Sequence, residues 1–262
     1  KMIISMTQDL LEQYQDVISK NSLDIGCAND IEVKLEVDPK KLTVQRQRYL
    51  TQDKLNYLQQ IVKDFEDAGI VVDNTNGSHK SVSNILLVNK SKNKDNTKAG
   101  LYISRKTNQL QDKFRPCVDM RNLNMALVNV SKSTTTLPEF IFQKLSNKIV
   151  SNLDLRQGYF HIPLDDESLQ YSNFYVGKKI YAFRRLIQGL TNAPAVFTNF
   201  LSDLFSSKTL LRIKNDAPES IRDKFPKEFE EFLSFYMDDL FIHSNNEIDH
   251  YIHIYITLEA LR

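Results

Sequence analysis

Two adjacent carboxylates, Asp238 and Asp239, lie between two short apolar runs at residues 232–236 and 240–242. The runs are rich in aromatic and branched residues, which is typical of buried strands, and the polar step between them indicates a tight hairpin turn. Ionised carboxylates beside so much apolar surface are costly unless water, a cation or a partner compensates their charge. Asp is also common in solvated turns. The pair alone therefore favours metal chemistry and a plain surface turn about equally.

A third carboxylate, Asp154, lies near the end of another apolar run, residues 149–155, which predicts a buried strand. If this strand is an antiparallel neighbour of the hairpin, Asp154 lies beside Asp238 and Asp239. Carboxylate oxygens on a rigid sheet suit two Mg²⁺ ions, with water and substrate phosphates completing the coordination. Two such ions, about 4 Å apart, activate an attacking oxygen and stabilise a leaving one. The pattern favours nucleotidyl transfer or phosphodiester hydrolysis and does not separate the two.

Composition places the chain among ordinary globular proteins, with 262 residues, 41% hydrophobic and 26% charged. The net charge of +1 provides no global attraction for nucleic acid, so any basic surface must be local, as at residues 89–113. Cys27 and Cys117 lack zinc-ligand spacing and predict no disulfide framework. No apolar stretch reaches transmembrane length, so we expect no membrane partner. We expect the chain to be part of a longer protein, because it begins without Met and stops inside a predicted helix.

Apolar periodicity and turn residues predict the elements that must position these acids. Helical spacing predicts helices at residues 6–18, 55–68, 137–145, 192–205 and 248–258. Alternation or short apolar runs predict strands at residues 31–37, 70–72, 85–88, 114–118, 149–155, 174–176 and 180–183. Residues 248–258 also fit a strand, although we favour the helix. The polar segments 89–113 and 206–227 are interpreted as loops.

Special residues refine the ends of these elements. Gly69 is expected at a helix C-terminus and Gly177 in a hairpin turn. Asn192 is expected to cap a helix whose first turn contains Pro194, and Pro138 is expected in the first turn of another.

Three segments resemble the palm motifs of reverse transcriptases. Residues 152–162 resemble the first motif, residues 188–197 the second, and Tyr236-Met237-Asp238-Asp239 the third. Upstream, residues 114–124 are similar to the fingers strand of the same enzymes. Several ordered motifs at compatible spacing are far more specific than any single motif.

The sequence resembles the Gypsy type of LTR retrotransposon polyprotein most closely, from about residue 10 to the end. Gln188-Gly189 and Met237 are more similar to the retroviral pattern. The resemblance implies an α+β fold, namely the fingers and palm of a right-hand polymerase, with an antiparallel palm sheet backed by helices and no thumb in this chain. The implied domains are a leader at 1–45, fingers at 46–130 and 162–191, and palm at 131–161 and 192–262.

The resemblance also assigns roles at the matching positions. Asp154, Asp238 and Asp239 are implied to be catalytic and to hold two Mg²⁺ ions, or Mn²⁺ instead, together with Leu155; Asp239 would support the primer-end metal. The implied nucleotide-binding residues comprise a phosphate-gripping arginine, a steric gate against the ribose 2′-OH, two pocket-floor residues and a lysine on the γ-phosphate: Arg115, Tyr159, Gln188, Gly189 and Lys90, with Lys92 as the alternative lysine.

The implied primer and template contacts are Tyr236, Met237, Asp119 and Arg121, of which Asp119 and Arg121 are alternatively a structural ion pair. The implied activity is RNA-directed DNA polymerisation, in which a primer 3′-OH attacks a dNTP on an RNA or DNA template. The alternatives are a degenerate module that binds template–primer without polymerising, and an RNA-dependent RNA polymerase, which Tyr159 disfavours. The implied partners are the thumb, RNase H and integrase of the same polyprotein, with a dimer as a further option. The implied location is the cytoplasm, in a virus-like particle, with the nucleus as a later stage.

Overall fold

The computed structural model describes residues 2–28, 31–89, 114–128 and 138–262. Within these ranges the chain forms eight α-helices: α1 (Met2–Gln13), α2 (Gln52–Asp67), α3 (Arg121–Ala126), α4 (Pro138–Leu145), α5 (Ala193–Leu204), α6 (Ser207–Asp216), α7 (Glu219–Arg222) and α8 (Glu247–Leu261). The same ranges contain nine strands: β1 (Val71–Asp73), β2 (Val82–Ser83), β3 (Ile85–Asn89), β4 (Phe114–Val118), β5 (Ile149–Asp154), β6 (Asn173–Val176), β7 (Lys179–Phe183), β8 (Leu233–Tyr236) and β9 (Asp239–Ser244).

These elements form two compact units. The first takes in the described parts of Lys1–Lys20, Ser133–Arg156 and Pro194–Arg262. The second takes in the described parts of Asn21–Lys132 and Gln157–Ala193. Each unit has its own sheet and its own buried apolar side chains, so the three carboxylates, which all belong to the first unit, are positioned by that unit's packing.

In the first unit, a three-stranded antiparallel sheet in the order β5-β9-β8 lies against α8. Asn246 caps α8, its side-chain oxygen accepting the Asp249 N–H at 3.0 Å. The segment is helical although Ile252, Ile254 and Ile256 alternate like a strand. All three are buried because α8 contacts β9, α1 and α6. A helix covered on several sides loses its single apolar stripe, which explains why the periodicity was ambiguous.

In the second unit, a four-stranded sheet in the order β1-β7-β6-β2 lies beside α2, and β3 pairs with β4 in a separate antiparallel pair. β6 and β7 form the predicted hairpin around Gly177, whose φ is 60°. Gly69 ends α2 as predicted, with a φ of 68° and its N–H bonded to the Glu66 carbonyl at 3.0 Å. Buried aromatic rings fill the interior, with Phe174 and Phe183 centred 4.8 Å apart.

The predicted strand at residues 31–37 is wrong. Among the described residues, the segment makes isolated bridges alone, from Val33 to Leu164 and from Val37 to Leu127. Leu35 is buried, as the alternation predicts, but its N–H bonds to the Ser168 hydroxyl at 2.8 Å instead of to a neighbouring strand. Alternation therefore reported burial correctly, but regular pairing requires a continuous partner that the fold does not provide.

The predicted loop at 206–227 is also wrong, because it contains α6 and α7. Leu210, Ile213 and Ala217 are buried at helical spacing. Intervening polar residues diluted this signal in the sequence.

Three smaller predictions need correction. β5 is a strand as predicted but is not buried, since its residues are exposed or half-buried. The predicted cap at Asn192 is not made, because its buried Oδ1 has no hydrogen bond in the part of the chain that is described. The first helix begins and ends earlier than predicted, at Met2 and Gln13.

None of the helices in the described ranges has the length and apolar character needed to span a membrane.

Acidification should destabilise the first unit through His253 on α8. Burial lowers the pKa of His253 from 6.5 to about 4, against an opposing effect of Asp249. The neutral imidazole therefore contributes stability that is fully present above about pH 6.5 and is lost as the pH falls toward 4, because the unfolded chain takes up a proton that the folded chain resists. We expect the urea midpoint to fall between pH 7.5 and pH 5.0, and to fall less in His253→Gln. Equal falls in both proteins would contradict this assignment.

Candidate active site

The Tyr-Met-Asp-Asp segment forms a two-residue hairpin turn. β8 and β9 pair antiparallel with Tyr236 opposite Asp239, which leaves Met237 and Asp238 to make the turn. Met237 has a φ of 52°, a positive value of the kind that tight hairpin turns require at this position. Met237 is 53% exposed. The predicted hairpin is confirmed, with Asp238 in the turn and Asp239 as the first residue of β9.

β5 brings the third carboxylate to the same end of the sheet. Asp154 is directly opposite Asp239 in the β5–β9 pairing, and the Leu155 N–H donates to the Asp238 carbonyl at 2.7 Å. Opposite residues of an antiparallel pair have Cα atoms about 5 Å apart and place their side chains on one face. Asn152, two residues before Asp154, is on that face too, with Nδ2 3.5 Å from Asp239 Oδ1. The prediction that the strand of Asp154 is an antiparallel neighbour of the Asp238-Asp239 hairpin is therefore confirmed.

The donor set suits a hard divalent cation. Asp154 is exposed and Asp239 half-buried, while Oδ1 of Asp238 is buried. In the described ranges, no three Asp, Glu, His or Cys side chains converge closely enough to hold a metal ion by themselves. Mg²⁺ sites of phosphoryl-transfer enzymes commonly use one or two carboxylates, with water and substrate phosphates completing the octahedron. The residues present fit an open site of that kind.

Tyr159 lies in the second unit, in a short 3-10 helix, Gly158–His161. Its neighbour Phe160 is buried and its ring is centred 5.8 Å from that of Phe65. Gln157, with a φ of 51°, precedes the turn. Tyr159 itself is half-buried. The turn is thus anchored by Phe160, and the gating role of Tyr159 stays a prediction.

The Gln188-Gly189 loop is clamped by a residue to which the sequence assigned no role. The Asn124 side chain donates from Nδ2 to the Gly189 carbonyl at 2.9 Å and accepts the Thr191 N–H at 2.9 Å. Gly189 has a φ of 98°, which side chains with a Cβ rarely adopt. Asn124 closes the segment 114–124 that resembles the fingers strand, so the motif contained the signal without revealing the contact.

Asp119 and Arg121 form a bidentate ion pair in the second unit. Arg121 Nε and Nη2 each lie 2.7 Å from a different Asp119 oxygen. The Asp119 side chain is only 5% exposed, whereas that of Arg121 is 75% exposed. Hydrogen bonding to Arg121 holds the pKa of Asp119 below its usual value despite burial. The structural ion pair is observed, and a template contact for these residues stays a prediction.

Of the other predicted nucleotide-binding residues, Arg115 and Lys90, the structure describes the backbone of Arg115. Arg115 belongs to β4, opposite Val88. The Arg115 side chain, Lys90 and Lys92 all lie outside the described residues, as does the basic segment 90–113.

Comparison with known proteins agrees with the class that this fold defines, an α+β domain with a hairpin-borne carboxylate site. Residues 98–262 match the family model described as reverse transcriptase (RNA-dependent DNA polymerase). The chain belongs to the reverse transcriptase family.

Curated relatives include two plant-virus polyproteins. The enzymatic polyprotein of Figwort mosaic virus (strain DxS) is 23% identical over 263 residues, covering 99% of this chain and 34% of the relative. That of Cauliflower mosaic virus (strain D/H) is 22% identical over 255 residues, covering 96% and 32%. The chain thus spans about a third of the length of these relatives.

Similar solved structures include the foamy viral protease-reverse transcriptase in complex with an RNA/DNA hybrid. It has a TM-score of 0.68 at 18% identity, covering all of this chain and 29% of the foamy viral chain. The same enzyme in complex with dsDNA also has a TM-score of 0.68 at 18% identity, with 44% of that chain covered. These similarities confirm the predicted α+β fingers and palm fold.

Two substitutions of Met237 should separate the effect of backbone strain on stability from the effect of losing the side-chain contacts. A non-glycine residue at positive φ costs about 1–2 kcal/mol, so Met237→Gly should raise the free energy of unfolding by about 1 kcal/mol. Met237→Ala removes the same contacts while keeping the Cβ, and it should not stabilise the hairpin. Urea unfolding measures both variants; an unchanged or lower stability of Met237→Gly relative to Met237→Ala would show that the turn is not strained.

Proposed function

We propose that this chain is the RNA-directed DNA polymerase domain of a retroelement polyprotein, which adds dNTPs to a primer 3′-OH on an RNA or DNA template. The observation that carries the proposal is the register of the first unit's sheet, which sets Asp154 opposite Asp239 and beside the Asp238 turn. Family membership supports the reaction class. The finer assignment to the Gypsy type rests on the motif resemblance, since the relatives described above are polyproteins of viruses.

The proposed division of labour follows from backbone positions. Asp154 and Asp238 hold two divalent ions, Mg²⁺ or alternatively Mn²⁺, with a contribution from the Leu155 backbone, and Asp239 supports the ion at the primer end. When bound, such ions lower the cost of forming the attacking oxyanion and neutralise charge on the phosphates. Asp239 is held centrally, since β9 pairs with both β5 and β8. Its backbone therefore fixes the spacing of the other two acids.

Nucleotide recognition is proposed for residues of the second unit. Arg115 and Lys90 bind the triphosphate, Tyr159 excludes ribonucleotides, and Gln188 and Gly189 contact the incoming dNTP. Charge-assisted hydrogen bonds of the kind Arg makes with phosphate are among the strongest available to a protein. The clamp of Asn124 on the Gly189 loop supports this arrangement, because a nucleotide contact requires a fixed backbone.

Nucleic acid is the proposed macromolecular partner. The foamy viral enzymes of similar fold were solved with an RNA/DNA hybrid and with dsDNA. For this chain, Tyr236 and the exposed Met237 are proposed to contact the primer end, and Asp119 with Arg121 the template.

Further domains and location are also proposals. We assign the first unit to the palm and the second to the fingers. Thumb, RNase H and integrase domains of the same polyprotein are proposed as neighbours, with a dimer as an additional assembly. The proposed location is cytoplasmic, in a virus-like particle, with a later nuclear stage.

Primer extension on poly(rA)/oligo(dT) tests the polymerase proposal. Using the intact protein that contains this chain, Asp238→Asn should lower the extension rate about 1,000-fold or more, equivalent to about 4 kcal/mol of transition-state stabilisation, because a neutral amide replaces a metal-binding carboxylate. Asp203→Asn is the matched control, since it makes the same change at an exposed position of α5. Extension by the wild type at the rate of Asp238→Asn would refute the proposal.

The gate is tested by the ratio of dNTP to rNTP incorporation. Tyr159→Val should lower that ratio by about tenfold or more, because the smaller side chain no longer clashes with a 2′-OH. Tyr159→Phe keeps the ring and should keep the ratio. If Tyr159→Val discriminates as strongly as the wild type, Tyr159 is not the gate.

A further inference from the structure

Hydrogen bonds connect four side chains in series on the α8 side of the first unit's sheet. We call them the serine–histidine network: Ser151, His250, Ser244 and His253. Ser151 Oγ lies 2.8 Å from His250 Nε2, and His250 Nδ1 lies 2.9 Å from Ser244 Oγ. Ser244 Oγ also lies 2.7 Å from Nδ1 of His253. His250 is 8% exposed and Ser244 3% exposed, so the link between them is buried, whereas the links to Ser151 and His253 are half-buried.

The serine–histidine network joins β5 and β9, the two strands that carry Asp154 and Asp239. Ser151 belongs to β5, three residues before Asp154, and Ser244 ends β9, the strand that begins at Asp239. Because side chains alternate along a strand, Ser151 faces α8 while Asp154 faces the opposite side. One imidazole on α8, that of His250, therefore contacts both strands from behind the site.

β5 is the most exposed of the three strands in this sheet. Among the strands that the structure describes, it pairs with β9 alone and is therefore an edge strand, and its residues are exposed or half-buried. Ile149 is 38% exposed and Val150 41% exposed, so little apolar burial holds this strand down. The half-buried hydrogen bond between Ser151 and His250 is a contact that ties this strand to α8.

The chemistry of the groups suits a permanent link. A neutral imidazole offers one donor and one acceptor, and each serine hydroxyl donates once and still accepts. Ser151, His250, Ser244 and His253 can therefore be satisfied in series without any charge. Burial lowers the pKa of His250 and of His253, which keeps both rings neutral at ordinary pH.

We propose that His250 is a positioning residue for the polymerase site, holding β5 in place through Ser151 so that Asp154 stays opposite Asp239. The inference rests on the proposed function for the role of the carboxylates. It assigns His250 no contact with substrate or metal.

Two measurements on the intact protein test the proposal. The first is hydrogen exchange of the β5 amides that pair with β9, which should accelerate about tenfold in Ser151→Ala and in His250→Gln. The second is Mn²⁺ binding measured by electron paramagnetic resonance, where the half-saturating concentration should rise about tenfold, in the range that supporting contacts of metal ligands show. Ser151→Thr restores a hydroxyl and should rescue both. The Ser151→Ala/His250→Gln double variant should not exceed His250→Gln, because that change already removes the link to Ser151.

Ser234→Ala is the matched control. Ser234 is a half-buried serine of β8, 3.5 Å from His243 Nε2, so the change removes a similar link from the other edge strand. It should alter neither β5 exchange nor Mn²⁺ binding. Unchanged β5 exchange in Ser151→Ala and His250→Gln, an equal effect of Ser234→Ala, or faster exchange with unaltered Mn²⁺ binding would each overturn the proposal. Exchange needs no catalysis, so these outcomes are distinct from failure of the proposed function, which would appear as a wild-type protein that binds no Mn²⁺.

Discussion

The pairing of β5 with β9 is the constraint on which the site depends. It sets Asp154 opposite Asp239, and the adjoining Leu155 amide bonds to the Asp238 carbonyl. A slip of one residue would turn Asp154 to the α8 side of the sheet, because side chains alternate along a strand. The same slip would turn Ser151 away from His250. The β5–β9 register therefore determines both the contact of Ser151 with His250 and the placement of Asp154 opposite Asp239.

Bringing three acids to one end of a sheet has an electrostatic cost. Two charges 5 Å apart repel by about 1 kcal/mol in a water-like environment, and by more where solvent is excluded. Asp154 is exposed, which keeps its share small, whereas Asp238 has a buried oxygen. The hairpin also holds Met237 at a φ of 52°. Strained residues persist where the surrounding fold holds them in place, and they cluster at functional sites. A divalent cation bound at this end of the sheet would relieve the repulsion among the three carboxylates.

Local signals in the sequence predicted local structure well. The Asp238 turn, the C-terminus of α2 at Gly69 and the hairpin at Gly177 all depend on residues close together in the chain. The signals failed where structure depends on distant partners. β5 reads as a buried strand but is an exposed edge, because exposure depends on which strands flank it. Residues 31–37 alternate without finding a continuous partner strand.

The same contrast between local signals and distant partners applies to the candidate active site. Motif resemblance identified the three acids, and their adjacency followed once strands were paired. The contacts that support them, Asn124 with Gly189 and His250 with Ser151, join residues far apart in sequence, so no pattern within one segment could reveal them.

Asp154 and Asp238 are proposed to hold a divalent ion at the end of the sheet where β5 pairs with β9. Iron-directed cleavage is the test, since Fe²⁺ bound in place of Mg²⁺ reduces added hydrogen peroxide to hydroxyl radicals that cut the nearest backbone, and added ascorbate regenerates the Fe²⁺. With dNTP present, we expect cuts at both 152–156 and 236–240 in the intact protein, competed by Mg²⁺ and lost in Asp154→Asn. Cuts confined to other segments, or cuts that persist unchanged in Asp154→Asn, would contradict it.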